Sequence, residues 1–373
     1  MCKASVLTVF FIFALFDFSC SDRPLSGTSK NDLTEKQALG KLLFFDKNLS
    51  TPAGQSCAGC HHPDFAFADP NPDLPVSQGA HQTRFGNRND LTAMYASYIP
   101  ALRYDEEEGI YIGGLFWDGR ANSLEEQAKG PPLNPLEMAN PHIEALVQAI
   151  RRAPYAGRFK TVFGDHSLDD PQKAFDFFAE AVAAYERSAE LNPFSSKYDM
   201  FLAGETGLSA AEMRGMALFN DPLKGNCAAC HPSTAGDEEI LPLFTDFSYD
   251  NLGVPKNPAN PFYYLPADLN PQGTAYVDLG LGAVVGKRSE NGKFRVPTLR
   301  NIAKTAPYMH NGVFQTLYQV LAFYNTRDNG IWPPAEIAEN VNKDELGNLH
   351  LSEAEISDII AFLHTLTDGY KPE

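Results

Sequence analysis

"CAGCH" at residues 57–61 and "CAACH" at residues 227–231 are two copies of one pattern, C-x-x-C-H. In this pattern two thiols add to the vinyl groups of a haem. The adjoining His becomes the proximal iron ligand, its geometry set by the short covalent loop. The cofactor-holding residues are then Cys57, Cys60 and His61 in the first copy and Cys227, Cys230 and His231 in the second. A zinc clamp also uses Cys pairs two apart, but here a His follows each pair directly and the pairs lie far apart in sequence. A thioredoxin-like redox pair would sit in a βαβ pattern, and neither copy does. Two covalently bound haem c groups are the reading.

Working outward, a similar helix precedes each motif. "LTEKQALGKLLFFD" opens with Thr34 and Gln37 at capping-box spacing, and "LSAAEMRGMALFND" opens with Ser209 and Glu212 at the same spacing. Apolar residues recur at helical intervals in both: Leu39, Leu42 and Leu43, then Met213, Met216 and Leu218. This is a weak internal repeat about 170 residues apart, and it implies two haem domains of one kind. The closing stretch "LSEAEISDIIAFLHTL" predicts a helix capped by Ser352 and Glu355, with Ile356, Ile359, Ile360 and Leu363 on one face. Such a terminal helix would cross the helix ahead of the second motif and close that domain over its haem. Between these helices the chain is rich in Pro, Gly and Asn, and no run is long enough to build a main sheet. The fold expected is mainly α, with two cytochrome c-like haem domains and long irregular loops.

The N-terminus, "MCKASVLTVFFIFALFDFSCSDRP", carries Lys3 and an apolar run from Val6 to Phe16. That run is too short to span a membrane and suits an export signal. "FSC" resembles a loose lipoprotein processing site, which would leave Cys20 acylated as the first mature residue. The expected organisation is a signal peptide over 1–19 and a polar tether over 20–32. An N-terminal haem domain over 33–200 and a C-terminal one over 201–373 follow. Periplasmic location, with a lipid anchor at Cys20, follows from the same reading. With Cys2 and Cys20 in the signal and four cysteines in the motifs, no thiol remains for a structural disulfide. A net charge of −17 over 373 residues, without a Lys/Arg cluster, excludes nucleic-acid wrapping and suits a basic protein partner.

Two haems permit electron transfer alone, or catalysis with one haem as reactor and the other as electron store. The sixth iron position decides between them. The stretch "YMHNGVFQTLYQVLAFYN" (308–325) offers Met309, His310 and Tyr324. Leu317, Val320, Leu321 and Tyr324 share one helical face, so on spacing alone Tyr324 is a core residue with its hydroxyl on some buried acceptor.

"FWDGRANSLEEQAKGPPLNPLEM", "FRVPTLRNIAKTAPYMHNGVFQTL" and the two CxxCH motifs resemble the bacterial di-haem cytochrome c peroxidase family, which includes the MauG-type enzymes. The resemblance runs from about residue 33 to 366. It implies that the His61 haem reacts with hydrogen peroxide and that the His231 haem stores or relays electrons. Trp117, otherwise an ordinary core anchor, would lie between the haems. Gln127 and Glu137 would stand over the reactive haem, with Glu137 moving a proton between the peroxide oxygens. Taken alone, Glu137 is an exposed helix-start carboxylate. The resemblance also implies Ca2+, held by the Asn89 side chain and the carbonyls of Thr305 and Pro307; a turn-forming Asn explains Asn89 equally well.

His81 is near a mobile iron-binding His of the peroxidases, though off the usual spacing; without it the first haem is open at rest, as in MauG-type members. A loop His is otherwise a solvated side chain. The second-haem ligand falls at Tyr324, where ordinary peroxidases carry Met and MauG-type members Tyr; Met309 is the fallback ligand. A thioether favours ferrous iron, whereas a phenolate favours higher oxidation states. The function implied is a di-haem peroxidase oxidising a protein partner. An ordinary peroxidase fed by a small cytochrome or cupredoxin, or a non-enzymatic electron-transfer protein, are the alternatives. A homodimer is also implied.

Overall fold

In the computed structural model, Thr34 caps α1 (Glu35–Phe45) in the expected capping box with Gln37. The chain continues through α2 (Cys57–Cys60), the antiparallel pair β1 (Arg103–Asp105) and β2 (Ile110–Ile112), and the short α3 (Leu124–Ala128) and α4 (Gly130–Leu133). Helices α5 (Ile143–Arg152), α6 (Ala156–Phe163) and α7 (Pro171–Glu186) complete this half. Helix α1 lies across α7, burying Leu39, Leu43 and Phe44 against Phe178, Val182 and Tyr185. Gly40 sits at the crossing: a Cβ there would stand 1.9 Å from the Ala181 carbonyl oxygen.

The second half repeats the device. After α8 (Lys197–Leu202), Ser209 and Glu212 cap α9 (Ala210–Asn220) as expected. Strand β3 (Tyr249–Asp250), α10 (Leu281–Val285) and β4 (Phe294–Arg295) lead to α11 (Leu317–Thr326), and the chain closes in α12 (Glu353–His364), capped by Ser352 and Glu355. Helix α12 crosses α9 as the sequence predicts, and Gly215 takes the place of Gly40, with a hypothetical Cβ 1.9 Å from the Asp358 carbonyl oxygen. Phe219, Phe244, Phe362 and Tyr198 fill the space around the crossing with edge-on ring contacts.

Two expected core positions are corrected by these crossings. Leu42 is 39% exposed and Met213 42% exposed. The stripe facing the partner helix centres on the glycine, and these two residues lie off it. Ile356, Ile359 and Leu363 are buried as expected; Phe362 joins them, while Ile360 is half-buried.

The two halves are tied by buried polar links. Arg88 of the first half pairs with Asp278 of the second at 2.7 Å and with Asp118 of its own half at 2.6 Å. The Tyr249 hydroxyl donates to the Gly113 carbonyl at 2.6 Å. Two small antiparallel ladders are the sheets among the described residues, and the fold is mainly helical and cytochrome c-like. The structure describes residues 32–234 and 241–372. The expected signal peptide, Cys20 and all but the last residue of the tether fall outside them. Among the described residues no helix is long and apolar enough to cross a membrane.

Candidate functional site

Each C-x-x-C-H motif folds back on itself, because the His61 amide donates to the Cys57 carbonyl at 2.8 Å and the His231 amide to the Cys227 carbonyl at 2.9 Å. Cysteines and histidine of one motif thereby reach one wall of one cavity. The first cavity is lined by Cys57, Cys60 and His61 with Gln127, Glu137 and Trp117. The second is lined by Cys227, Cys230 and His231 with Leu317, Val320, Leu321 and Tyr324. The four cysteines thus serve two cavities, which removes the shared tetrahedral zinc site. Cys230, Asp250 and Glu345 cluster within 4.8 Å, but a Cys230 sulfur committed to a thioether is no thiolate ligand.

The donor chemistry fits haem c. Each imidazole anchors Nδ1 near a backbone carbonyl, Phe67 for His61 at 3.1 Å and Phe244 for His231 at 2.7 Å, which leaves Nε2 for iron. Burial lowers both histidine pKa values, partly opposed by those carbonyls, so both rings are neutral and in ligand form. Burial pushes the Cys57 and Cys227 thiols up to about 12, which disfavours thiolate clamps and suits thioethers. Arg295 lines both cavities, fully buried and without a carboxylate partner among the described residues. Burial lowers its guanidinium to about 10. It donates to the Phe116 and Val296 carbonyls, each at 3.3 Å, and a buried cation so placed would suit a haem propionate.

The wall common to both cavities contains Asn89, Asp90, Leu91, Thr92, Trp117 and Arg295. Trp117 is 9% exposed, and its indole nitrogen donates to the Asn89 carbonyl at 2.8 Å. Gln127 comes from α3 and Glu137 from the turn after α4. The Glu137 carboxyl accepts from the Asn134 amide at 2.7 Å and is held above the usual carboxylate range by burial, with Arg120 opposing. It faces the cavity where its local sequence suggests a surface position.

Tyr324 follows its helical face into the second cavity rather than into a closed core. Its hydroxyl has no hydrogen-bond partner among the described residues, so the acceptor expected of an ordinary core tyrosine is missing. Burial first, then Cys227, Cys230 and Asp250, raise its pKa, and Arg327 opposes. Once both sulfurs are thioethers their contribution disappears. Met309 lines the same cavity, as do Thr305, Pro307 and Asn89. The Asn89 side-chain nitrogen donates to the Pro75 carbonyl at 3.1 Å. His81 lies on a loop where its carbonyl accepts from the Arg84 amide at 2.9 Å, and it lines neither cavity.

Sequence reasoning missed Asp90, Glu186 and Arg295, and the burial of His310. Glu186, at the end of α7, is 6% exposed in the first cavity, and burial raises its carboxyl to about 8. His310 stacks on Phe294 with centroids 3.7 Å apart, and its buried Nε2 is unpartnered. Only a fold brings these groups to the cavities, so no local signal marks them.

Two cavities, each entered by a haem-attachment motif and sharing a tryptophan wall, define a di-haem c-type protein. A family model for di-haem cytochrome c peroxidase matches residues 34–207. Methylamine utilization protein MauG of Paracoccus denitrificans is 40% identical over 355 residues, covering 90% of this chain and 89% of that protein. Cytochrome-c peroxidase IdrP1 of a Pseudomonas species is 32% identical, with coverages of 89% and 81%. The solved di-haem peroxidase BthA of Burkholderia thailandensis superposes with a TM-score of 0.77 at 36% identity, over 91% of this chain and 87% of that one. The chain belongs to the di-haem cytochrome c peroxidase family, and it is an oxidoreductase.

Proposed function

We propose that this chain reduces hydrogen peroxide in the His61 cavity, that Tyr324 is the distal ligand in the His231 cavity, and that the electrons are drawn from a protein partner oxidised at a distance, as in MauG-type enzymes. The observation that supports this reading is that Tyr324, half-buried, lines the cavity of His231 with no hydrogen-bond partner for its hydroxyl among the described residues.

When bound, the haems supply the reduction of peroxide and the storage of oxidising equivalents. His61 and His231 would hold them through Nε2, and Arg295 would offer its charge to a propionate. Glu137, its carboxyl held above the usual range by burial, would carry the proton between the peroxide oxygens, and Gln127 would orient the peroxide through its amide. Trp117 supplies an aromatic group in the common wall. The Tyr324 phenolate donates charge and lowers the potential on its side.

The same reading takes residues 33–200 as the peroxidatic half and 201–373 as the electron-transfer half. It takes Asn89, Thr305 and Pro307 as oxygen donors for Ca2+, and His81 as a residue off the iron. It takes the chain as periplasmic, with a lipid anchor at Cys20, and as a homodimer with an exported protein partner. A second reading, the ordinary peroxidase, is favoured by Met309, which lines the same cavity.

Steady-state turnover of peroxide with reduced small cytochromes, in wild type and Tyr324→Met, separates the two. Slow wild-type turnover that rises in the variant supports Tyr324 as the ligand. Fast wild-type turnover, unchanged in the variant, overturns it in favour of Met309.

A further inference from the structure

The two proximal imidazoles are held differently. His231 Nδ1 meets the Phe244 carbonyl at 2.7 Å, and no carboxylate stands within ion-pair distance of it among the described residues. His61 Nδ1 meets the Phe67 carbonyl at 3.1 Å and, at the same 3.1 Å, the Oδ2 of Asp90. That oxygen is buried and has no hydrogen bond of its own.

The backbone around Asp90 is pinned. The Asn89 amide donates to the His310 carbonyl at 2.7 Å, and the Asn89 carbonyl accepts from the Trp117 indole at 2.8 Å. Two residues beyond Asp90, the Thr92 hydroxyl donates to the Ala66 carbonyl at 2.6 Å, next to Phe67. Asp90 therefore has little freedom to leave the ring. A small turn of the imidazole moves its N–H from the carbonyl to the carboxylate, where the hydrogen bond is the stronger of the two.

We propose that Asp90 is a positioning residue that accepts the Nδ1–H of His61, so that the first haem has a carboxylate-partnered proximal ligand while the second keeps a carbonyl-partnered one. The inference rests on the di-haem reading above. A carboxylate on a ligating imidazole makes it a stronger donor, lowering the iron potential and favouring cleavage of a bound O–O bond. The asymmetry would assign the reactor role to the His61 haem from the proximal side, as Glu137 does from the peroxide side.

The test is resonance Raman spectroscopy of the ferrous holoprotein with a redox titration of each haem, in wild type, Asp90→Asn and Asp90→Ala. The expected result is a wild-type iron–His stretch of the first haem in the high range of carboxylate-partnered imidazoles. It should shift down in both variants while the first-haem potential rises and the second-haem potential stays fixed. The proposal is overturned if the first-haem stretch and potential are the same in all three proteins. A wild-type stretch in the carbonyl-partnered range overturns it even where the variants do not load haem. A purified protein without haem absorption would instead refute the haem reading.

Discussion

Replacing Gly215 by Ala tests the packing that shapes the second cavity. The new Cβ would stand 1.9 Å from the Asp358 carbonyl oxygen and 2.9 Å from Phe362 Cβ, whereas real Cβ atoms keep at least 3.0 Å. Helix α12 must retreat by about 1.1 Å from α9, and neither contact is the far end of a flexible side chain that could swing aside. Overpacking costs about 1–3 kcal/mol, and a gap of this size forfeits roughly a quarter to a half of the dispersion attraction along the seam. Helix propensity returns about 1 kcal/mol, since Ala is the better helix former. The expected net loss is about 1–2 kcal/mol, or a melting point lower by roughly 1–3 °C at an unfolding entropy of about 2.1 cal/mol/K per residue.

Phe219 of α9 and Ile359 and Leu363 of α12 line the second cavity, so the disturbance should also reach the His231 haem. Thermal unfolding of the holoprotein, with absorption spectra of each haem, measures both effects. Gly40→Ala should disturb the His61 haem instead, through Phe44 of α1 and Val182 of α7. A Gly215→Ala protein as stable as wild type, with both spectra unchanged, would refute the close crossing.

Glu137→Gln should lower the peroxide turnover number by about 10²–10⁴-fold with the donor KM unchanged, measured by steady-state kinetics. Glu186 has its carboxyl raised from 4.5 to about 8 by burial, so the folded state keeps a proton the unfolded state releases. Its contribution to stability is full below pH 4.5 and is lost as pH rises through 8; Glu186→Gln should flatten that decline in denaturant melts across the window. Arg88→Met leaves Asp278 buried without its cation, while Asp118 keeps Arg120 at 2.8 Å, and urea unfolding should show a loss of about 3–5 kcal/mol.

What could be read from the chain was what lies close together in it. The haem attachment groups fall within five residues in each motif, and the caps at Thr34, Ser209 and Ser352 reach three residues along. The helix crossings were legible as a repeat, but their centres were not: hydrophobicity marks Leu42 and Met213, while Gly40 and Gly215 set the approach. Glu137 looked exposed until the turn after α4 placed it over a cavity. Asp90 lies 29 residues from His61, and Arg295 lies far from both motifs, so their meaning depends on a juxtaposition no spacing encodes. Tyr324 is the intermediate case. Its face was legible, and that the face borders a cavity was not.

The measurement that bears most directly on the account is low-temperature EPR of the ferric holoprotein in wild type, Tyr324→Met and Tyr324→Phe. The expected wild-type spectrum combines a high-spin haem with a low-spin haem. The low-spin signal alone should change in both variants, and the second-haem potential should rise in Tyr324→Met. A low-spin signal and a potential that are identical in all three proteins would contradict the account and assign the ligand to Met309.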